Sequence, residues 1–154
     1  FMIVVDFAHT PNSLKQILSD LKERVDVRKG RLIHVFGAAG LRDAQKRPMM
    51  GVESAKYADV SIVTEEDYRS EAVEVISKEI ISGMKNAESR IKDGTVMMIE
   101  NRQKAINKAV ALAQKGDIIV CTGKAHEKSL NRNGKEEPWD EFAAIRTALN
   151  LRNP

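Results

Sequence analysis

Cysteine occurs once in the 154 residues, as Cys121, so an intramolecular disulfide is excluded and a reducing compartment fits the chain. The thiol stands in Asp117-Ile118-Ile119-Val120-Cys121, the setting of a buried strand residue rather than of a nucleophile. Aromatic residues amount to 5%, and the formal net charge is only +3, with basic and acidic residues interleaved. Neither the stacking surface nor the concentrated charge of a nucleic-acid-binding protein is there. No apolar run approaches a membrane span, and none has the form of a signal peptide. Repeats and low-complexity segments are missing too. The expectation is a cytoplasmic globular protein with neither nucleic acid nor membrane as partner. A hydrophobic share of 42% and a charged share of 31% fit one domain, residues 1–154, with length enough for a sizeable core. The chain opens directly on an apolar strand, Phe1-Met2-Ile3-Val4-Val5-Asp6. A piece of a longer polypeptide, cut at a domain boundary, is therefore expected, a tag remnant ahead of Met2 being the alternative.

What is present is alternation. β-branched apolar runs at Phe1–Asp6, Leu32–Phe36, Asp59–Thr64, Thr95–Ile99 and Asp117–Cys121 take turns with helical periods. Leu14, Ile17, Leu18 and Leu21 make one helical stripe, with Pro11 and Asn12 or Ser13 as its start. A helical pattern begins near Lys46, and another runs from about Glu71 to Lys85 with Val73, Ile76, Ile80 and Ile81 on its buried side. Ile106, Ala109, Val110 and Ala113 mark a helix over Arg102–Gln114, and Glu141–Leu149 reads as a closing helix. Asn131–Pro138 is a polar, hairpin-like turn before it. This order calls for an α/β protein with a mostly parallel sheet covered by helices on both faces. Ligands of such sheets bind outside the carboxyl ends of the strands.

The unusual polar clusters fall at those ends. Asp6-Phe7-Ala8-His9-Thr10-Pro11 closes the first strand; Asp6 either accepts ribose hydroxyls or caps the next helix, and His9 is either structural or catalytic. Phe36-Gly37-Ala38-Ala39-Gly40-Leu41-Arg42-Asp43-Ala44-Gln45-Lys46-Arg47-Pro48 follows the second strand. Its two glycines let the backbone turn and bring something close. Arg42, Lys46 and Arg47 crowd a helix start that normally prefers acids, which makes either an anion site or a solvated basic turn. In Thr64-Glu65-Glu66-Asp67-Tyr68-Arg69-Ser70-Glu71, Arg69 is either neutralised by its acidic neighbours or offers its planar fork to a ligand carboxylate. Thr122-Gly123-Lys124-Ala125-His126-Glu127 is not a phosphate loop, because the preceding glycine and its spacing are missing. Glu127 suits an ammonium group and Gly123 a backbone contact, or the segment is a mixed-charge surface loop. Four clusters at corresponding strand ends point to one site.

In this order the motifs closely resemble the C-terminal domain of the Mur ligases, above all the UDP-N-acetylmuramoyl-tripeptide synthetases of the MurE type. The resemblance runs from about Val4 to Leu149. It implies a Rossmann-like fold and a three-domain parent of which this is a fragment. The parent would use ATP and Mg²⁺ to activate the D-glutamate carboxylate of UDP-MurNAc-L-Ala-D-Glu as an acyl phosphate. The amine of a diamino acid, meso-diaminopimelate by this resemblance, would then attack it to give the peptidoglycan tripeptide precursor. Mg²⁺ would be held mainly by the absent central domain, no metal ligand and no catalytic residue being assigned here. By matching position, Asp6 and His9 would face ATP. Arg42, Asp67, Arg69, Gly123 and Glu127 would form the acceptor pocket. Alone, the chain should have no ligase activity.

The departures bear on the acceptor. Glu66-Asp67-Tyr68-Arg69 stands where the family has Asp-Asn-Pro-Arg, and an ionised Asp67 accepts hydrogen bonds only and would repel a ligand carboxylate. Leu41 replaces an Asp, and Ala39 and Ala125 replace glycines. Retention of Arg69 argues against lysine, which has no second carboxylate. The rival readings are a folylpolyglutamate- or cyanophycin-synthetase-like ligase domain and a stand-alone nucleotide- or amino-acid-binding module. A nicotinamide-binding domain ranks below these, since Gly37-Ala38-Ala39-Gly40 lacks the third glycine.

Overall fold

The computed structural model describes residues 1–86 and 95–152. Strands β1 (Met2–Asp6), β2 (Leu32–Phe36), β3 (Val60–Val63), β4 (Val96–Met98) and β5 (Ile118–Thr122) form one sheet in the order β1-β5-β2-β3-β4. All four pairings are parallel, with Met2 opposite Ile118, Leu32 opposite Ile118, Ile33 opposite Val60 and Ser61 opposite Val96. The strands are joined by α1 (Pro11–Val27), α2 (Lys46–Tyr57), α3 (Val73–Asn86) and α4 (Arg102–Leu112). After β5 comes an antiparallel hairpin, β6 (Ser129–Arg132) and β7 (Lys135–Pro138), and then α5 (Glu141–Arg152). The expected α/β architecture is present, strand by strand.

Alternation along each central strand feeds two cores. Leu32, Phe36, Ile118 and Val120 pack with Leu14, Leu18, Leu21 and Val25 of α1, Met50 of α2, and Ile76, Ile80 and Met84 of α3. Ile33, Val35, Ile62, Ile119 and Cys121 pack with Ile106, Ala109 and Val110 of α4 and Ala144, Ile145 and Ala148 of α5. Each large aliphatic side chain so buried contributes about 1.5–3 kcal/mol of transfer free energy. Cys121 is wholly buried, and that burial pushes its thiol up to about 12. His34 is the polar exception in β2: its ring nitrogens lie 2.8 Å from Ser54 Oγ and 3.0 Å from Thr122 Oγ1, and burial holds it neutral, pushed down to about 3.

Helix α1 starts at Pro11, as read from the sequence, and Thr10 caps it: its Oγ1 accepts from Ser13 N, and Ser13 Oγ accepts from Thr10 N in a reciprocal box. Other boundaries shift for local reasons. Helix α3 starts at Val73 rather than Glu71, and Val73 and Ile81 are half-buried where Ile76, Ile80 and Met84 are fully covered. The Asn131–Pro138 excursion is a true hairpin whose strand begins at Ser129. Its turn is Asn133-Gly134, both at positive φ (53° and 78°), as a two-residue connection of right-twisted strands requires.

Candidate functional site

Because every strand of the sheet runs the same way, the loops after β1, β2, β3 and β5 gather at one edge. They enclose a cavity of about 310 Å³. Phe7 and His9 enter from the β1 loop, Ala39, Arg42 and Lys46 from the β2–α2 loop and the start of α2. Glu66, Asp67 and Arg69 come from the β3–α3 loop, and Gly123 and Glu127 from the segment after β5. Six of the seven residues singled out above thus meet in one place: His9, Arg42, Asp67, Arg69, Gly123 and Glu127. Asp6 does not line the cavity. Its Oδ1 accepts from Ala8 N at 2.8 Å and its carbonyl from Gly123 N at 3.1 Å, so it shapes the β1 exit alongside.

The glycines of the β2 loop bring backbone, not ligand, close. A Cβ at Gly37 would lie 2.2 Å from Thr64 O, and one at Gly40 2.0 Å from Tyr68 O. Gly40 N donates to Asp67 O at 2.8 Å. The two arginine-bearing loops are thereby locked together.

Arg47 does not serve an anion. Only 1% of it is exposed, and its guanidinium pairs with Glu71 (2.6 Å) and Glu79 (2.7 Å) and donates to Ala39 O (3.0 Å). Arg47 and a bond from Leu41 N hold the Glu71 carboxyl below its usual range. The cation crowding at the α2 start is thus partly a tie between α2 and α3, which leaves Arg42 and Lys46 facing the cavity. Arg42 is exposed and has no ion pair among the described residues. Arg69 is not neutralised by its acidic neighbours: its Nη1 donates to the carbonyls of Gly40 (2.8 Å) and Asp67 (3.3 Å), and no carboxylate pairs with it among the described residues. Both planar forks keep their charge for something else.

The cavity lining also carries acids. Glu66, 7% exposed, has a buried Oε2 with no hydrogen-bond partner. Burial, reinforced by Asp67, pushes its carboxyl up to about 7 against the opposing pull of Arg102 and Lys124. Lys124 touches neither solvent nor cavity; its ammonium lies between Asp67 (2.9 Å) and Glu127 (2.6 Å). Sequence reasoning passed over Glu66 as one acid among four. Its only signal was the position directly before Asp67. Of the five non-glycine residues at positive φ among the described residues, three, Leu41, Arg69 and Ala125, sit in these loops. Such strain collects at ligand clamps.

Residues 1–125 match the family described as Mur ligase, glutamate ligase domain. The chain belongs to the Mur ligase family. It is 41% identical over 141 residues to the UDP-N-acetylmuramoyl-L-alanyl-D-glutamate--2,6-diaminopimelate ligase 1 of Clostridium acetobutylicum, covering 92% of this chain and 27% of that protein. It is 39% identical over 149 residues to the UDP-N-acetylmuramyl-tripeptide synthetase of a Roseiflexus species, covering 97% of this chain and 28% of that protein. A solved UDP-N-acetylmuramoyl-L-alanyl-D-glutamate--2,6-diaminopimelate ligase superposes with a TM-score of 0.82 at 34% identity, over 99% of this chain and 30% of the other. A murein peptide ligase from Psychrobacter arcticus, 18% identical with a TM-score of 0.59, shares the fold. The Mur ligase domain therefore spans under a third of the length of these relatives. It is a Mur ligase C-terminal domain whose relatives are named as a diaminopimelate ligase and a tripeptide synthetase.

Among the described residues no helix is long and apolar enough to cross a membrane, and no group of three His, Cys, Asp or Glu side chains is placed to hold a metal ion.

Proposed function

We propose that this domain is part of a three-domain, cytoplasmic, ATP-dependent ligase that joins a diamino acid, meso-diaminopimelate, to UDP-MurNAc-L-Ala-D-Glu. The observation that carries the reading is the cavity's charge layout: Arg42 and Arg69, without carboxylate partners among the described residues, line the same cavity of about 310 Å³ as the carboxyl groups of Glu66 and Glu127. An amino acid with a second carboxylate and a second ammonium complements that layout at both ends. The names of the relatives from Clostridium acetobutylicum and Roseiflexus support the same substrate class. ATP supplies the activation of the glutamate carboxylate. Residues of this chain bind and orient the acceptor so that its amine displaces phosphate. Arg42 and Arg69 take carboxylates, Gly123 and Glu127 hold the distal end, and Asp67, with Lys124 against it, is an acceptor of hydrogen bonds rather than a net repulsive charge. Asp6 and His9, at the end of β1, face the nucleotide. Mg²⁺ and the phosphate grip belong to the other domains.

The test supplies the full-length ligase with UDP-MurNAc-dipeptide, ATP, Mg²⁺ and one amino acid at a time. Tripeptide with meso-diaminopimelate is the expected product. Product with lysine alone would reassign the acceptor, and product with glutamate or aspartate would favour the folylpolyglutamate- or cyanophycin-type reading. Residues 1–154 alone should give no product, and product from them would sink the three-domain reading. An upstream reading frame with a Gly-Lys-Thr or Gly-Lys-Ser phosphate loop would support it, and a stop codon just ahead of the domain would leave a binding module.

A further inference from the structure

The hairpin β6–β7 lies outside the residues that match the family, yet it is sewn to the loop that carries Asp67 and Arg69. Asn131 N donates to Asp67 Oδ1 at 2.9 Å, Arg69 N donates to Asn131 O at 3.2 Å, and Arg69 and Arg132 form a parallel β-bridge. Arg132 holds the hairpin there: its Nε donates to Glu65 Oε2 at 2.9 Å and its Nη1 to Glu137 Oε2 at 2.8 Å, with Nη2 also on Glu65 Oε1. The guanidinium lies over Trp139 at 5.9 Å, and Leu130 beneath is wholly buried. Glu65 is itself tied to the start of α4, its Oε1 accepting from Arg102 N at 3.0 Å. Arg69 has φ of 53°, a conformation a non-glycine residue keeps only when its surroundings impose it.

We propose that the hairpin buttresses the β3–α3 loop of the acceptor pocket from behind and that Arg132 is a positioning residue. By clamping Asn131 against the β3–α3 loop, it keeps the Arg69 backbone left-handed and its guanidinium turned to the cavity. The inference rests on the acceptor reading above. Nothing on the hairpin needs to touch ligand. The two main-chain bonds of Asn131 aim the residues that do, so changes in hairpin sequence would retune acceptor choice without altering the arginines.

The test compares the full-length ligase with its Arg132→Met and Arg132→Lys variants. Arg132→Met should raise the KM for the acceptor about tenfold while kcat and the KM for ATP stay within about twofold. Arg132→Lys keeps charge but not the fork, and should fall between the two. Lys135→Ala, exposed on the same hairpin, should change nothing. Hydrogen exchange of the peptide spanning residues 64–70 gives a readout independent of turnover: protection should drop there in Arg132→Met while β2 and β5 stay protected. An unchanged acceptor KM with unchanged exchange overturns the clamp. So does a uniform loss of kcat and both KM values with exchange raised throughout, since Arg132 would then be merely structural. If no diamino acid is turned over by the wild type, the acceptor reading fails, and the exchange result alone still decides the clamp.

Discussion

The ammonium of Lys124 lies 2.9 Å from the carboxylate of Asp67, and only 2% of the Lys124 side chain is exposed. From sequence, Asp67 in place of an amide looked hostile to a ligand carboxylate. In the fold its charge is met from below by Lys124, and Asn131 N donates to the same oxygen at 2.9 Å. A buried amine there also binds Glu127, so one cation organises both acids attributed to the acceptor pocket. The substitution does not remove the case for a dicarboxylic acceptor.

Arg69→Ala in the full-length ligase should weaken acceptor binding by about 2 kcal/mol or more, the loss for a charge-assisted bidentate contact. That is roughly thirtyfold in acceptor KM. Arg42→Ala should behave similarly, and the double variant should cost less than the two losses added if both forks grip one ligand. Steady-state kinetics with the acceptor varied gives the answer, and unchanged KM in Arg69→Ala would place that residue outside the pocket.

Gly123→Ala should damage site and fold together. Gly123 has φ of 100°, which an L side chain rarely adopts, and the added Cβ would sit 2.6 Å from Glu66 Oε2. Backbone strain alone should cost about 1–2 kcal/mol of stability. Displacement of Glu66 should lower acceptor affinity beyond that. Urea denaturation and acceptor titration of the same variant measure the two effects separately, and a variant matching the wild type in both would refute the close approach.

The parallel sheet was legible because alternation and helical period are local signals, and convergence of the clusters followed from strand direction alone. Partners far apart in the chain were not legible. From the sequence Arg47 belonged either to an anion site or to a solvated basic turn, because Glu71 and Glu79, which bury it, are more than twenty residues away. Lys124 is internal because its ammonium pairs with Asp67, which lies 57 residues away in the chain. Glu66 resembles Glu65 in sequence, yet Glu65 is claimed by Arg132 and Arg102 N while Glu66 Oε2 is left without a partner. The hairpin read as a polar turn since β6 and β7 carry only Leu130 as a buried apolar anchor.

Glu66 should make stability fall with rising pH across the neutral range. Its carboxyl sits near 7 in the folded protein against an ordinary 4.5, so the folded chain keeps a proton the unfolded chain has lost. The contribution is complete below the unfolded value and is lost as pH rises through the folded one, by about 3 kcal/mol in all. Glu66→Gln should flatten that part of the profile. Urea denaturation at a series of pH values from about 4 to about 8 checks it by comparing slopes. Equal slopes in variant and wild type would show that Glu66 is ionised in the fold.

Arg102 and Glu141 should prove the costliest pair to break. Neither side chain is exposed, and the guanidinium meets the carboxylate at 2.6 Å and 3.0 Å. Arg102 also donates to Thr122 O at 2.8 Å and Glu65 O at 3.3 Å, joining α4 to the ends of β5 and β3 directly under the cavity. Arg102→Met leaves Glu141 charged in a dry setting with only Trp139 Nε1 still donating to it, at 2.7 Å. The loss should be about 3–5 kcal/mol, whereas Arg102→Met with Glu141→Leu should recover much of it, since no charge is then stranded. The two lost carbonyl bonds set the part that does not return, at about 1 kcal/mol each. Because those carbonyls precede Gly123 and Glu66, the double variant should fold yet hold the acceptor poorly. A double variant that regained full acceptor affinity would show that the pair serves stability alone.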